Sequence, residues 1–277
     1  RSRRQKSVLA FLAQDLEGRA FCYSNADLRK GDEADEILRF VEFWKRVHGA
    51  PPKHLVFDSK LTVQRNLGVL DKMGITFLTL RARSPALNHE VALLPASAWR
   101  TVELDVPTRR FRFPRVFEQK VSIAGCELRQ FFIKDLGHED PTILLTNDRK
   151  TNPAPLIARY AQRMLIENAL SDAVRFFHMN ALSSSVGMKV DFDMALLVIA
   201  SGLYRLLAKK MRGYADAQAG RIFRDLIDMP ATVNVQPDEV SVRFHRRAHL
   251  PIVIESGLLN APVVVPWWNG IKLKLTA

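Results

Sequence analysis

The alternation of apolar and polar residues changes rhythm several times along the chain, and each change predicts an element. Ser7 to Gln14 (SVLAFLAQ) reads as a strand, followed by a turn at Asp15-Leu16-Glu17-Gly18 and a second strand near Ala20 to Asn25, together a hairpin. From about Glu33 to Val47, Ile37, Phe40, Val41 and Trp44 recur at helical spacing. Acidic residues open that helix, Lys45-Arg46 close it, and His48-Gly49-Ala50-Pro51-Pro52 ends it. A short apolar strand, His54-Leu55-Val56-Phe57, runs into Asp58. A helix from about Leu61 to Met73 stops at Gly74, and Ile75 to Leu80 reads as another buried strand. Strand, helix and strand through tight connections predict a parallel unit.

From about Ser84 to Asp148 the texture is different. Val102 to Val106 and Arg110 to Phe113 alternate at period two, Leu128 to Ile133 is a further strand candidate, and Pro and Gly punctuate the whole stretch. This predicts a mostly antiparallel β insertion ending near Ile143 to Asn147. Helical patterning returns from about Pro155 to Phe177 and from Phe192 to Lys210. The tail holds a strand-like Glu239 to His245, the basic Arg246-Arg247, and a Pro-rich end around Trp267-Trp268. The expected class is α/β, divided as 1–83, 84–148, 149–210 and a C-terminal extension 211–277, with no internal repeat.

Composition matters chiefly through charge. The 277 residues hold 41 Lys and Arg against 29 Asp and Glu, a net charge of +12 that favours a polyanionic partner, nucleic acid before anionic membrane. Cys22 and Cys126 stand far apart without a Cys-x-x-Cys partner, which argues against a disulfide framework or zinc site and suits a reducing cytoplasm. The best apolar run, Met194 to Leu207, is interrupted by Ser201, Tyr204 and Arg205 and falls short of the roughly 20 residues of a membrane span. The basic start, Arg1 to Lys6, lacks the cleavage pattern of a secretory signal, and the first residue is not Met, so a fragment of a longer product is expected.

Two features carry chemistry. Asp58 sits where a buried parallel strand ends, the position from which α/β sheets project ligand-binding groups. Its ordinary alternative is a cap for the following helix. Tyr160, Arg163 and Glu167 are spaced three and then four residues apart, so on one continuous helix they share an arc of roughly 60°. A carboxylate there can ligate a hard cation, and a guanidinium can hold a phosphate oxygen. The ordinary alternative is a solvent-facing Arg-Glu pair.

Together these residues resemble the cut-and-paste DDE transposases of bacterial insertion sequences, in the branch marked by Tyr-x2-Arg-x3-Glu-x6-Lys. The signature stands here as Tyr160-Ala-Gln-Arg163-Met-Leu-Ile-Glu167, and Leu144-Leu145-Thr146-Asn147 and Leu55-Val56-Phe57-Asp58-Ser59 are similar to that branch. So is the order of elements from Ser7 to Leu207. The resemblance implies a ribonuclease-H-like mixed sheet flanked by helices, with the β insertion before the glutamate-bearing helix. It implies two Mg2+ or Mn2+ ions held by two aspartates and a glutamate, and strand cleavage and transfer at transposon ends in the bacterial cytoplasm, with the protein nucleoid-associated when bound to DNA. Asp58 then matches the second aspartate and Glu167 the glutamate, both catalytic and metal-binding, while Tyr160 and Arg163 match DNA contacts. The partners implied are transposon-end and target DNA, no membrane, and a homodimer in the DNA complex; the oligomeric state is not fixed by sequence.

Two departures stand out. Position 174, where the signature has Lys, is Val174, and Arg175 points about 100° away on a helix. The first aspartate is expected on a strand before the hairpin, hence upstream of Arg1, with Asp15 a weaker nominee and the chain by itself inactive. Other DNA-binding candidates are Arg110 and Arg112, in a basic run with Arg109 and Arg115, and the His245-Arg246-Arg247 patch. Trp99 reads either as a base-stacking aromatic or as core. The seven histidines show no metal-ligand spacing. Rival readings are a nuclease of the same fold and a non-catalytic DNA-binding derivative of a transposase.

Overall fold

The computed structural model describes residues 8–105, 110–137, 139–181, 183–184 and 186–277. The chain forms two compact units, one of residues 1–11 and 25–165, the other of residues 12–24 and 166–277. The hairpin expected at the start is present as β1 (Phe11–Gln14) and β2 (Phe21–Asn25), a two-stranded sheet. Its first strand is shorter than the apolar run from Ser7 suggested.

In the first unit, a 3-10 turn at Glu33–Asp35 leads into α1 (Glu36–His48), which ends where Gly49 adopts φ 78° and returns its N–H to the Lys45 carbonyl. Then come β3 (His54–Phe57), α2 (Gln64–Lys72) and β4 (Thr76–Leu80), with β3 parallel to β4 as the sequence pattern predicts. The unit continues with α3 (Pro85–Ala92), β5 (Arg100–Thr101), β6 (Arg115–Ile123), β7 (Cys126–Lys134), β8 (Thr142–Thr146) and α4 (Pro153–Ala161). The strands make one mixed sheet in the order β3-β4-β8-β7-β6-β5, antiparallel everywhere except β3 against β4. The antiparallel stretch therefore extends the same sheet that carries Asp58 at its edge strand.

Alternation along the central strands supplies both faces. Phe77 and Leu145 point to the side where Ile37 and Val41 of α1 and Leu67 and Leu70 of α2 pack, while Leu78 and Leu144 point to Leu156 and Ile157 of α4. Helices cover both sides, which explains why β4 and β8 read as continuous apolar runs. Three expectations need correction here. Helix α3 lies in a stretch read as β, although its Ser84 cap (accepting Leu87 N–H at 3.2 Å) and Pro85 at its start are helix-opening signals. The alternating segments at 102–105 and 110–113, Val106 lying outside the described residues, fall beyond the ends of β5 and β6, although Val102 N–H to the Pro114 carbonyl and Leu104 N–H to the Arg112 carbonyl continue the register of that pair. Finally, the helix expected from Pro155 to Phe177 is broken, α4 ending at Ala161 and α5 (Met164–Arg175) starting three residues later.

The tight turn between β6 and β7 uses Ala124 at φ 54° and Gly125 at φ 76°, the paired positive φ that two-residue hairpin turns require. Alanine is strained there, because its Cβ crowds the carbonyl in the left-handed region. Ala124→Gly is expected to stabilise the protein by about 0.5–1 kcal/mol, read as a higher urea midpoint at constant slope.

The second unit takes most of α5, then α6 (Gly187–Lys210), α7 (Ala219–Ile222), a π-turn at 223–227, β9 (Ala231–Val235), β10 (Glu239–Phe244), α8 (Leu250–Glu255), β11 (Val263–Val265) and β12 (Ile271–Thr276). Its sheet runs β11-β12-β10-β9, with only β10 and β12 parallel. Ala208, Met211, Tyr214, Ile222, Leu226 and Val253 form its helical core. Among the described residues no helix is long and apolar enough to cross a membrane.

Candidate functional site

Asp58 follows the last residue of β3 in extended conformation and precedes a 3-10 turn at Ser59–Leu61. Its side chain makes no capping bond to that turn, so the ordinary alternative read from sequence is not what it does. Instead Oδ1 accepts the Ser59 hydroxyl at 2.9 Å, and Oδ2 lies 3.4 Å from Arg163 Nη1. The Asp58 side chain is 46% exposed and that of Arg163 25%, so the pair sits at the surface with the guanidinium the better covered partner. The Arg163 guanidinium also lies 5.7 Å from the centre of the Tyr160 ring, within reach of a cation–π contact.

Arg163 reaches Asp58 from the break between α4 and α5. Its N–H bonds to the Tyr160 carbonyl and Leu165 N–H to that of Gln162, three residues back rather than four, so the helical ladder contracts and restarts. No Gly or Pro marks the place, and nothing in the pattern announces it. Tyr160, Arg163 and Glu167 therefore do not share one continuous helical face. Tyr160 and Arg163 belong with Asp58 in the first unit; Glu167, exposed in the first turn of α5, belongs to the second.

The approach to α4 is firmly tied. Arg129 on β7 donates from Nε to Glu118 at 2.7 Å, and from Nη1 to the carbonyls of Asp148 and Thr151 at 2.8 and 2.7 Å. Burial works to raise the Asp148 carboxyl, but bonds from the Thr151 hydroxyl and from the Thr151 and Lys150 N–H groups outweigh it and hold Asp148 below the usual carboxylate range. Just before it, Thr146 donates to the Phe77 carbonyl at 2.6 Å. Asn147 accepts Phe77 N–H at 2.8 Å and donates to Asp71 at 2.8 Å and to the Ile75 carbonyl at 3.0 Å. The Thr146-Asn147 pair thus fastens β8 to the start of β4, a structural duty that the sequence alone did not reveal.

Comparison of the sequence with known family models and with curated proteins gives no match.

Whether these residues fit divalent ions can be judged from the donors. A two-ion site needs several carboxylate oxygens converging. Asp58 offers one carboxylate, already beside a guanidinium, and among the described residues no cluster of three or more His, Cys, Asp or Glu is placed to hold an ion. The grouped residues suit an anion better than a cation. Asp15 is occupied in the hairpin turn, where its Oδ2 accepts Gly18 N–H.

The remaining candidates divide. Arg112 lies 3.6 Å from Glu103 and over the Phe113 ring, and Arg110 over the Phe111 ring, while Phe111 and Phe113 are themselves 37% and 59% exposed. Arg115 is held by Asp135 through two bonds of 2.6 and 3.1 Å, and Arg109 lies outside the described residues. Trp99 packs beside Phe117 near the buried Phe132 and Leu87, with Lys134 Nζ 4.1 Å above its ring, which answers to the core alternative. His245 bonds to Thr232 at 2.8 Å, and Arg246 and Arg247 are exposed.

Proposed function

We propose that this chain is the catalytic portion of a DNA transposase with a ribonuclease-H-like core, acting on phosphodiesters at transposon ends. The observation that carries the reading is the meeting of Asp58, Arg163 and Tyr160, two segments more than a hundred residues apart, at the end of a parallel strand. A guanidinium oriented by a carboxylate on one side and an aromatic ring on another is a directed donor for a phosphate oxygen. The net charge of +12 brings polyanions to it. Two divalent ions belong to the reading through the resemblance alone, so the steps assigned to this chain's residues are DNA capture and orientation. An incoming phosphate competes with Asp58 for Arg163, and the carboxylate is released as the phosphate binds.

The ion pair itself favours a second reading, a DNA-binding derivative without catalysis, in which Asp58 serves only to aim Arg163. Binding and cleavage measured together separate the two. With a labelled duplex, Arg163→Ala is expected to weaken binding about tenfold at low salt. Asp58→Asn, which removes the competing carboxylate, is expected to tighten it about threefold. In a longer protein that carries the upstream strand expected to hold the first aspartate, strand nicking with Mg2+ or Mn2+ that is lost in Asp58→Asn supports the transposase. Tight binding without nicking by that longer protein supports the derivative. Wild-type affinity that stays flat as salt rises defeats both.

A further inference from the structure

Within the second unit, the end of α6 and the end of α8 border an open depression of about 360 Å³. One wall carries Lys209, Lys210 and Arg212; the other carries Ile252, Glu255 and Ser256. Three cations thus meet one carboxylate. Arg212 pairs with Glu255 at 3.1 Å, whereas neither lysine has a carboxylate within 4.0 Å among the described residues. Lysines in a last helical turn complement the helix dipole, but that does not account for Arg212, which lies beyond the helix on the same wall.

The two walls are fixed to one another. Met211 and Tyr214 are 3% and 2% exposed and share a core with Ile252 and Val253 of α8. The Tyr214 hydroxyl donates to Asp225 at 3.0 Å and lies 3.3 Å from His249 Nδ1, at the start of α8. Arg205 donates from Nη2 to the Ala215 carbonyl at 2.9 Å, tying α6 to the same loop. A basic surface whose backbone is held from beneath is preorganised, so binding there orders little besides the side chains of the two lysines and Arg212.

We propose that Lys209, Lys210 and Arg212 form a second docking site for the phosphodiester backbone of DNA. The inference rests on the DNA reading above and adds to it a contact surface in the C-terminal half. A backbone phosphate takes the two lysines directly and draws Arg212 from Glu255.

The test is Lys209→Gln/Lys210→Gln in the whole chain, measured by fluorescence anisotropy with a labelled duplex of arbitrary sequence across a salt series. Loss of two phosphate contacts is expected to weaken binding about tenfold at low salt and to reduce the log–log salt slope by about two. Lys209→Arg/Lys210→Arg should restore both, and an unchanged thermal midpoint in the Gln variant shows that the fold survives. Wild-type binding with a Gln variant of equal affinity and slope overturns this site while leaving the DNA reading intact. A wild-type chain that does not bind the duplex overturns both. Weakened binding to vesicles containing phosphatidylserine, with duplex binding unchanged, identifies a lipid surface and also overturns the proposal.

Discussion

In the intact protein, Glu167→Gln is expected to reduce nicking of a transposon-end duplex in Mg2+ or Mn2+ by about a thousandfold or more, and to change DNA affinity by less than about threefold. The substitution keeps size and hydrogen-bonding capacity but removes the negative charge. The resemblance alone gives this carboxylate a metal-binding role, since among the described residues no cluster is placed to hold an ion, so the nicking loss tests the resemblance and not the Asp58–Arg163 pair. Binding should survive, because an exposed carboxylate contributes repulsion, if anything, to a polyanion. The position makes a folding artefact easy to exclude, since Gln is as good a helix former as Glu in the first turn of α5. Comparison with wild type in one nicking assay, beside anisotropy, decides the matter. Unimpaired nicking by Glu167→Gln would remove that residue from the catalytic proposal.

Asn147→Ala carries the largest expected effect on stability, a loss of about 2–4 kcal/mol. One side chain satisfies the Phe77 N–H and the Ile75 carbonyl and reaches Asp71, joining three segments at the start of β4. Truncation leaves those groups with lost partners in a half-buried place, which costs more than the net worth of the bonds. Asn147→Asp separates the terms. It keeps the acceptor for Phe77 but loses both donated bonds and sets a second carboxylate beside Asp71, so at neutral pH, where both are charged, it should be no more stable than the alanine variant. Urea unfolding of the three proteins measures this. A loss under about 0.5 kcal/mol in Asn147→Ala would show that water replaces the side chain without penalty.

What the sequence made legible was local. The apolar spacing of Ile37, Phe40 and Val41 produced α1, and the strand, helix and strand around Asp58 produced the parallel pair, because burial on a fixed period leaves a direct trace in composition. Helix α3 was equally legible through Ser84 and Pro85 but was masked by the Pro-punctuated, alternating stretch that follows it. The interruption at Gln162 and Arg163 was not legible, since it reflects where backbone bonds go and not which residues are present. Nor was the pairing of Arg163 with Asp58, which depends on the tertiary meeting of strand and helix ends. The surroundings of Arg112 and Phe113 were not legible for a related reason. Alternation tells which residues lie on opposite sides but not which side is covered, and here the Phe113 ring is largely exposed while that of Phe111 lies over Gly137.

The make-up of the second unit has a consequence for how the molecule comes into being. Its hairpin segment, residues 12–24, is synthesised first, and its remaining residues, from 166 onward, last. At about 5–20 residues per second, the ribosome spends on the order of ten to thirty seconds on the intervening residues 25–165. During that interval the first unit can close through its own sheet while the hairpin waits without its partners. A marginal two-stranded ribbon holds little structure alone, so the second unit matures only once its residues from 166 onward have been made. Its folding is governed by a long chain closure, and the early hairpin is the part most open to capture by chaperones or proteases.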